Sequence, residues 1–283
     1  MKTFATCLAA LIISPLSIYA GAVAVNLGTA GNFAALTGST ITNAGNSIID
    51  GDVGVAPGNA VTGFYPPGIV IGTIYGAGYD TNASVPLQAE DDLVAAYNFA
   101  AAEACPGGNN LTGTNLGGLT LAPGVYCFSS SAQLTGTLTL DALSDPNGVY
   151  VFQISTTLTT APNSAVVFEG IDSGGNVFWQ VGSSATLNTG TAFAGNILAD
   201  TSISLDTGAS LNCGSALAQS GGVTLLDNAV TSCAAAENAP EPGSATLLAM
   251  GLLLGVVAYG RQFAGRFCRK TPALTNGTLA QDL

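Results

Sequence analysis

From residue 177 to residue 232 the chain repeats itself. Ser183-Ser184-Ala185-Thr186-Leu187, Thr201-Ser202-Ile203-Ser204-Leu205 and Gly221-Gly222-Val223-Thr224-Leu225 recur at intervals of 18 and 20 residues. Between them Ala192-Phe193-Ala194-Gly195-Asn196-Ile197-Leu198-Ala199 has a counterpart in Ser210-Leu211-Asn212-Cys213-Gly214-Ser215-Ala216-Leu217-Ala218, with Gly195 and Gly214 19 residues apart. Short runs of Val, Ile, Leu and Thr alternate with polar residues and are parted by Gly, Asn and Asp, the pattern of strands and turns. A period near 19 residues with three strand-like runs in each predicts a mainly β chain, coiled as a β-solenoid of roughly triangular section. Neighbouring coils would lie about 4.8 Å apart. Residues 134–142, 149–160 and 165–169 read as earlier coils, and 34–55 has the same texture. Phe152, Phe168, Phe178 and Phe193 are core candidates, and Trp179 is expected to pack under a helix or at a coil corner.

One segment has a different period. From 84 to 104, Ala89, Leu93, Ala96, Tyr97, Ala100 and Ala104 fall on one helical face. Ser84 is read as the N-cap, Pro86 sits in the first turn, and Glu90, Asp91 and Asp92 are placed toward the positive end of the dipole. A face made mostly of Ala lets a helix lie close against another surface. The helix is therefore expected along one side of the solenoid.

Charge narrows the function classes. The five Lys and Arg residues are Lys2, Arg261, Arg266, Arg269 and Lys270, and there is no His, so 25–239 holds no cationic side chain. Such a body cannot grip phosphates, which excludes nucleic acid and argues against nucleotide chemistry. It also lacks the His base, Lys nucleophile and Arg clamp of most hydrolases and transferases. Asp145, Asp172, Asp200, Asp206 and Asp227 stand one by one in turns, as solvated turn residues do. No catalytic residue, cofactor or metal site is assigned. Cys105, Cys127, Cys213 and Cys233 carry no CxxC and suggest two disulfides in an exported chain. Three pairings are open; Cys213 and Cys233 are about one period apart, which favours joining them across neighbouring coils and Cys105 with Cys127.

Both ends read as targeting segments. Lys2, the apolar run 4–18 and the small residues Ala20-Gly21-Ala22-Val23-Ala24 predict a secretory signal peptide over 1–24, cleaved before Val25. Pro240, Glu241 and Pro242 precede an apolar stretch at 243–260, long enough for a bilayer, and the basic cluster follows it. Residues 240–270 resemble the PEP-CTERM sorting signal of Gram-negative bacteria, which implies processing by an exosortase. A tail at 271–283 continues beyond the usual end of that signal, so retention as a membrane anchor stays open.

Several phrases of the body, 25–239, together resemble the ice-binding-like β-solenoid family. They are Asn26-Leu27-Gly28-Thr29-Ala30, Asp50-Gly51-Asp52-Val53-Gly54-Val55-Ala56-Pro57-Gly58, Leu121-Ala122-Pro123-Gly124-Val125-Tyr126, Val149-Tyr150-Val151-Phe152-Gln153-Ile154 and Asn176-Val177-Phe178-Trp179-Gln180-Val181-Gly182. The resemblance implies a discontinuous right-handed solenoid of three faces with a long helix at its side. It also implies adsorption to the surface of an ice crystal through one flat face with a T-A/G-x-T/N pattern. Carried onto this chain, the tetrads end at Thr186, Ser204 and Thr224, with others ending at Thr159 and Thr42. Only one of the first three opens with Thr, at Thr201, and Gly221 and Gly222 supply no methyl.

Alternate side chains of a strand share a face. Since Leu187, Leu205 and Leu225 should point inward, the second and fourth tetrad positions should point out: Thr157 with Thr159, Ser184 with Thr186, Ser202 with Ser204, Gly222 with Thr224, and Thr40 with Thr42. The competing expectation is an extracellular matrix or biofilm-associated adhesin, in contact with exopolysaccharide and with Ca²⁺ as a candidate ligand. A third, a β-helical lyase or glycosidase, lacks the cations such sites use on uronates.

Overall fold

The computed structural model of this chain describes residues 21–170 and 174–233. Three parallel sheets make up the body, with eight, seven and eight strands. Each coil of chain gives one strand to each sheet. The first coil runs Phe33–Thr37 in sheet A, Thr40–Ala44 in sheet B and Ile48–Asp50 in sheet C. Asp52–Val55, Ala60–Thr62 and Ile69–Ile71 form the second in the same order, and Ile74–Tyr75 ends this half in sheet A.

A helix, α1 (Ser84–Ala102), then carries the chain away. Its 19 residues span about 28 Å, most of the roughly 34 Å covered by seven strand spacings. Beyond it, five coils begin at Gly124–Phe128, Tyr150–Ile154, Val177–Val181, Asn196–Ala199 and Ala216–Ala218 in sheet A. They stack back toward the start, and the last docks on the first: Ala216 pairs with Ala35, Val223 with Ile41, and Val230 with Ile49. Stacking order and chain order thus differ, and the seam joins segments some 180 residues apart.

The three sheets have different burial. In sheet A, Val177–Val181 is buried at every position: Val177, Trp179 and Val181 face the interior, while Phe178 packs with Leu93, Ala96 and Ala100 of α1. Two covered faces explain near-continuous apolar runs such as Asn196–Ala199. Thr40–Ala44 of sheet B alternates exposed and buried instead. Down the interior, Tyr126, Phe152, Trp179 and Phe193 contact in sequence, with ring centroids 5.5, 3.9 and 4.8 Å apart. Trp179 Nε1 donates to Ala194 O at 3.0 Å. Trp179 is therefore core rather than packed under the helix, because strand alternation gives that place to Phe178. Phe152 and Phe193 are interior as expected, and Phe168 is half-buried against the same cluster.

The helix also departs from expectation. It ends at Ala102, with Glu103 extended and Ala104 exposed beyond it. Ala83, not Ser84, is the N-cap, and no side chain caps it; the Ser84 hydroxyl donates to Asn82 Oδ1 at 2.7 Å. The first turn holds no acid. Asp92 instead accepts from the amide and hydroxyl of Thr29, at 2.7 and 2.6 Å, which hold its carboxyl below the usual range. Glu90 is buried with Oε1 unpartnered, and desolvation, with Asp91 adding repulsion, pushes its pKa up to about 8. Tyr97, expected on the packed face, is half-buried at its margin.

Both expected disulfides form. Cys105 is joined to Cys127, Cα atoms 6.2 Å apart, fixing the chain just past α1 to sheet A. Cys213 is joined to Cys233, 4.5 Å apart, across neighbouring coils. Among the described residues no helix is long and apolar enough to cross a membrane. The apolar stretch 243–260, Pro240, Glu241 and Pro242, residues 1–20 and Asp172 lie outside the described residues.

Candidate functional site

Sheet B carries the residues singled out from the tetrads, and strand pairing decides how they line up. Gln133 pairs with Thr159, Thr159 with Thr186, Thr186 with Ser204, Ser204 with Thr224, Thr224 with Thr42, and Thr42 with Thr62. This single rank crosses all seven strands. Two residues earlier on each strand runs a second rank, in which Gly222 pairs with Thr40 and Thr40 with Ala60. Thr157, Ser184 and Ser202 precede Leu158, Ala185 and Ile203 at equivalent positions.

The residue between the ranks points inward on each coil. Leu158, Ala185, Ile203, Val223, Ile41 and Val61 are all buried, as are Leu187, Leu205 and Leu225 after the main rank. Outward, Thr40, Thr42, Thr62 and Thr224 are exposed, while Thr157, Thr159, Ser184, Thr186, Ser202, Ser204 and Gly222 are half-covered by neighbours in their rank. Neither rank contains a charged residue. Among the described residues, the Ser202 hydroxyl accepts from Gly222 N at 3.2 Å, and the hydroxyls of Thr42, Thr159, Thr186 and Thr224 have no protein partner.

Corner residues hold the coils in step. Asn228 Nδ2 donates to the carbonyls of Asp206 and Ala209, both at 2.8 Å, and its amide donates to Ser47 Oγ at 2.9 Å. Thr160 and Thr191 share a buried hydroxyl contact of 2.7 Å, and Asn188 binds Thr160 through amide and side chain. Gly221 explains a departure from the tetrad pattern. A Cβ there would stand 2.1 Å from Ser202 Oγ and 2.4 Å from Thr201 O, so the coils approach too closely for Thr.

Comparison with known proteins identifies the arrangement. Residues 35–231 match the family described as Ice-binding-like, from the first strand of sheet A to the last of sheet C. The chain belongs to the ice-binding-like family. A relative from Nostoc sp. (strain HG1) named "Ice-binding protein" is 49% identical over 269 residues, covering 93% of this chain and 97% of the relative. One of the same name from Flavobacterium frigoris (strain PS1) is 36% identical, covering 73% and 76%. A crystal structure of an ice binding protein from an Antarctic biological consortium superposes with a TM-score of 0.69 at 42% identity, covering 75% of this chain and 92% of that one.

Within this ice-binding-like chain, sequence reasoning missed both end strands of sheet B. Ala60-Val61-Thr62 has the same outward-inward-outward pattern as Thr40-Ile41-Thr42, which would have found Thr62. Ala132-Gln133-Leu134 alternates as Ala185-Thr186-Leu187 does, but Gln133 has no hydroxyl to match it to the tetrads. Among the described residues no group of three or more potential metal ligands converges.

Proposed function

We propose that the chain is an exported ice-binding protein, a right-handed three-faced solenoid whose sheet B adsorbs to ice. The observation that carries this reading is the rank from Gln133 to Thr62: seven residues in register, none charged, all directed away from the core. Its repeat is about 4.8 Å between coils and about 6.6 Å along each strand to the second rank. Thr suits such a lattice because its branched side chain is stiff at χ1, fixing one hydroxyl and one methyl. Hydroxyls anchor ordered water, and methyls with Gly222 leave shallow troughs for it. Strongly hydrated charges would disrupt that order, and these ranks contain none. Adsorbed molecules pin a growing ice front and act without catalysis.

Export follows from the leader at 1–24 and from two disulfides, which persist in oxidising compartments. The segment 240–270 fits a PEP-CTERM-type signal handled by an exosortase-type enzyme, with membrane attachment through 243–260 before or without cleavage. The test is recrystallisation of ice in the presence of the purified protein. Inhibited grain growth and faceted single crystals are expected; rounded crystals and unchanged grain growth would reject the reading.

A further inference from the structure

Near the start of the described chain, Val23 N lies 3.0 Å and 3.3 Å from the two carboxylate oxygens of Glu103, the residue that ends α1. An amide nitrogen has one hydrogen for two acceptors, whereas an ammonium has three. Glu103 is half-buried, desolvation raises its pKa, and no Lys, Arg or His stands between Lys2 and Arg261 to pair with it. Upstream, Ala20-Gly21-Ala22 supplies the small-x-small pattern that signal peptidases read, ending at Ala22.

We propose that the exported protein begins at Val23 and that its new α-ammonium is clamped by the Glu103 carboxylate. This rests on the export reading and moves the processing point two residues ahead of the boundary expected before Val25. A signal peptidase would hydrolyse the Ala22–Val23 bond with one water: the hydroxyl goes to the Ala22 carbonyl carbon and the hydrogen to the Val23 nitrogen, and the proton of the resulting carboxylic acid then passes through solvent to the amine, leaving an Ala22 carboxylate and a Val23 ammonium.

Burial discriminates between the two points. Val25 is 1% exposed in an apolar cluster with Leu27 and Leu93, whereas Val23 is 45% exposed. Among the described residues no carboxylate accepts from Val25 N, and a terminus there would bring an ammonium against this cluster of hydrocarbon side chains, a penalised arrangement. At Val23 the charge meets a carboxylate at the C-terminal end of a helix, where a cation is also favoured by the dipole. Gln153 Nε2 fixes that end by donating to Ala100 O at 2.8 Å and Glu103 O at 2.7 Å, and the Cys105–Cys127 bond lies two residues on. The pair would hold the first residues across the end of α1, keeping Val25 and Leu27 packed on Leu93.

N-terminal sequencing and intact mass of the protein recovered outside cells expressing the full chain test the processing point. A start at Val23 is expected. A start at Val25 or elsewhere overturns the inference while leaving export standing, and an unprocessed chain retained inside overturns both. The clamp has its own readout. Acetylating the α-amine of the purified exported protein should lower Tm by about 1–4 °C and should leave Tm unchanged in Glu103→Gln. Equal shifts in both proteins, or none in either, would overturn the clamp.

Discussion

Sheets B and C are built by the same coils at the same spacing, and each turns one face to solvent, yet they display different chemistry. Sheet B offers Thr and Ser ranks without charge. Along sheet C the equivalent ranks contain Ile48, Ile69 and Ile71, each at least half exposed, with Asp50 and Glu169 among them. The regular lattice is therefore a property of the solenoid, available on either side. What separates the sheets is which side chains occupy it: the two Thr and Ser ranks of sheet B hold no carboxylate and no large aliphatic group, with Leu226 exposed only beyond them, whereas the ranks of sheet C hold both.

The largest expected effect comes from breaking the B lattice while sparing C. Thr186→Tyr with Thr224→Tyr puts two rings on one rank and should raise the concentration needed to inhibit recrystallisation by about tenfold or more, equivalent to roughly 1.4 kcal/mol of adsorption energy. The matched pair Ala192→Tyr with Ala229→Tyr, on exposed positions of sheet C, should change it little. Equal losses from the two pairs would remove the distinction, provided melting curves show both variants folded.

Much of this contrast was legible in the sequence because sheet B strands have one wet face. Thr40-Ile41-Thr42 and Ala185-Thr186-Leu187 alternate, so inward Leu and Ile residues fix the direction of their neighbours. Sheet A was harder. Val177-Phe178-Trp179-Gln180-Val181 is buried on both sides, and its hydrophobicity cannot say whether Phe178 or Trp179 faces the helix. The stacking order was also hidden, since the seam pairs residues such as Ala35 and Ala216 that share no local signal. The helix starts at Ser84 as expected but stops two residues before the expected Ala104, because the backbone turns extended at Glu103 and no residue pattern there marks the change.

The helix packed on sheet A supplies a pH control for the comparison. Glu90 keeps its proton in the folded state up to about pH 8 and releases it near 4.5 when unfolded. The contribution of Glu90 to stability should thus be greatest below pH 4.5, fall by up to about 1.4 kcal/mol per pH unit between the two values, and level off above pH 8. Glu90→Gln should flatten that slope in denaturation series across this range. Ice activity of the folded protein should stay constant over the same window, because the outward ranks of sheet B contain nothing that titrates. Activity that follows pH would point to carboxylates of sheet C or the coil corners.

Reduction of Cys213–Cys233 acts on sheet C first, since both cysteines follow strands of that sheet. Closing a loop of 20 residues is worth about 3 kcal/mol, or a fall of roughly 6–12 °C in Tm. A Cys213→Ala, Cys233→Ala variant assayed near 0 °C should still inhibit recrystallisation, since Ser204 and Thr224 remain paired through the sheet B backbone.

The smallest effect is the most specific. Ser204 stands between Thr186 and Thr224 in the main rank, half-covered by both, and it is the position where the rank has a hydroxyl but no methyl. Ser204→Thr adds the methyl and restricts χ1, which should raise recrystallisation inhibition by about twofold. The reverse change at its neighbour, Thr186→Ser, should lower it by a similar factor, and Thr186→Val, which keeps the shape and removes the hydroxyl, should separate anchoring from trough formation. If Thr186→Val is as active as the parent, ordered water is held by the methyl array, and the hydroxyls serve only to keep the face wet. A matching Thr231→Val on sheet C should be silent in every case, because its rank already carries Asp50 beside it.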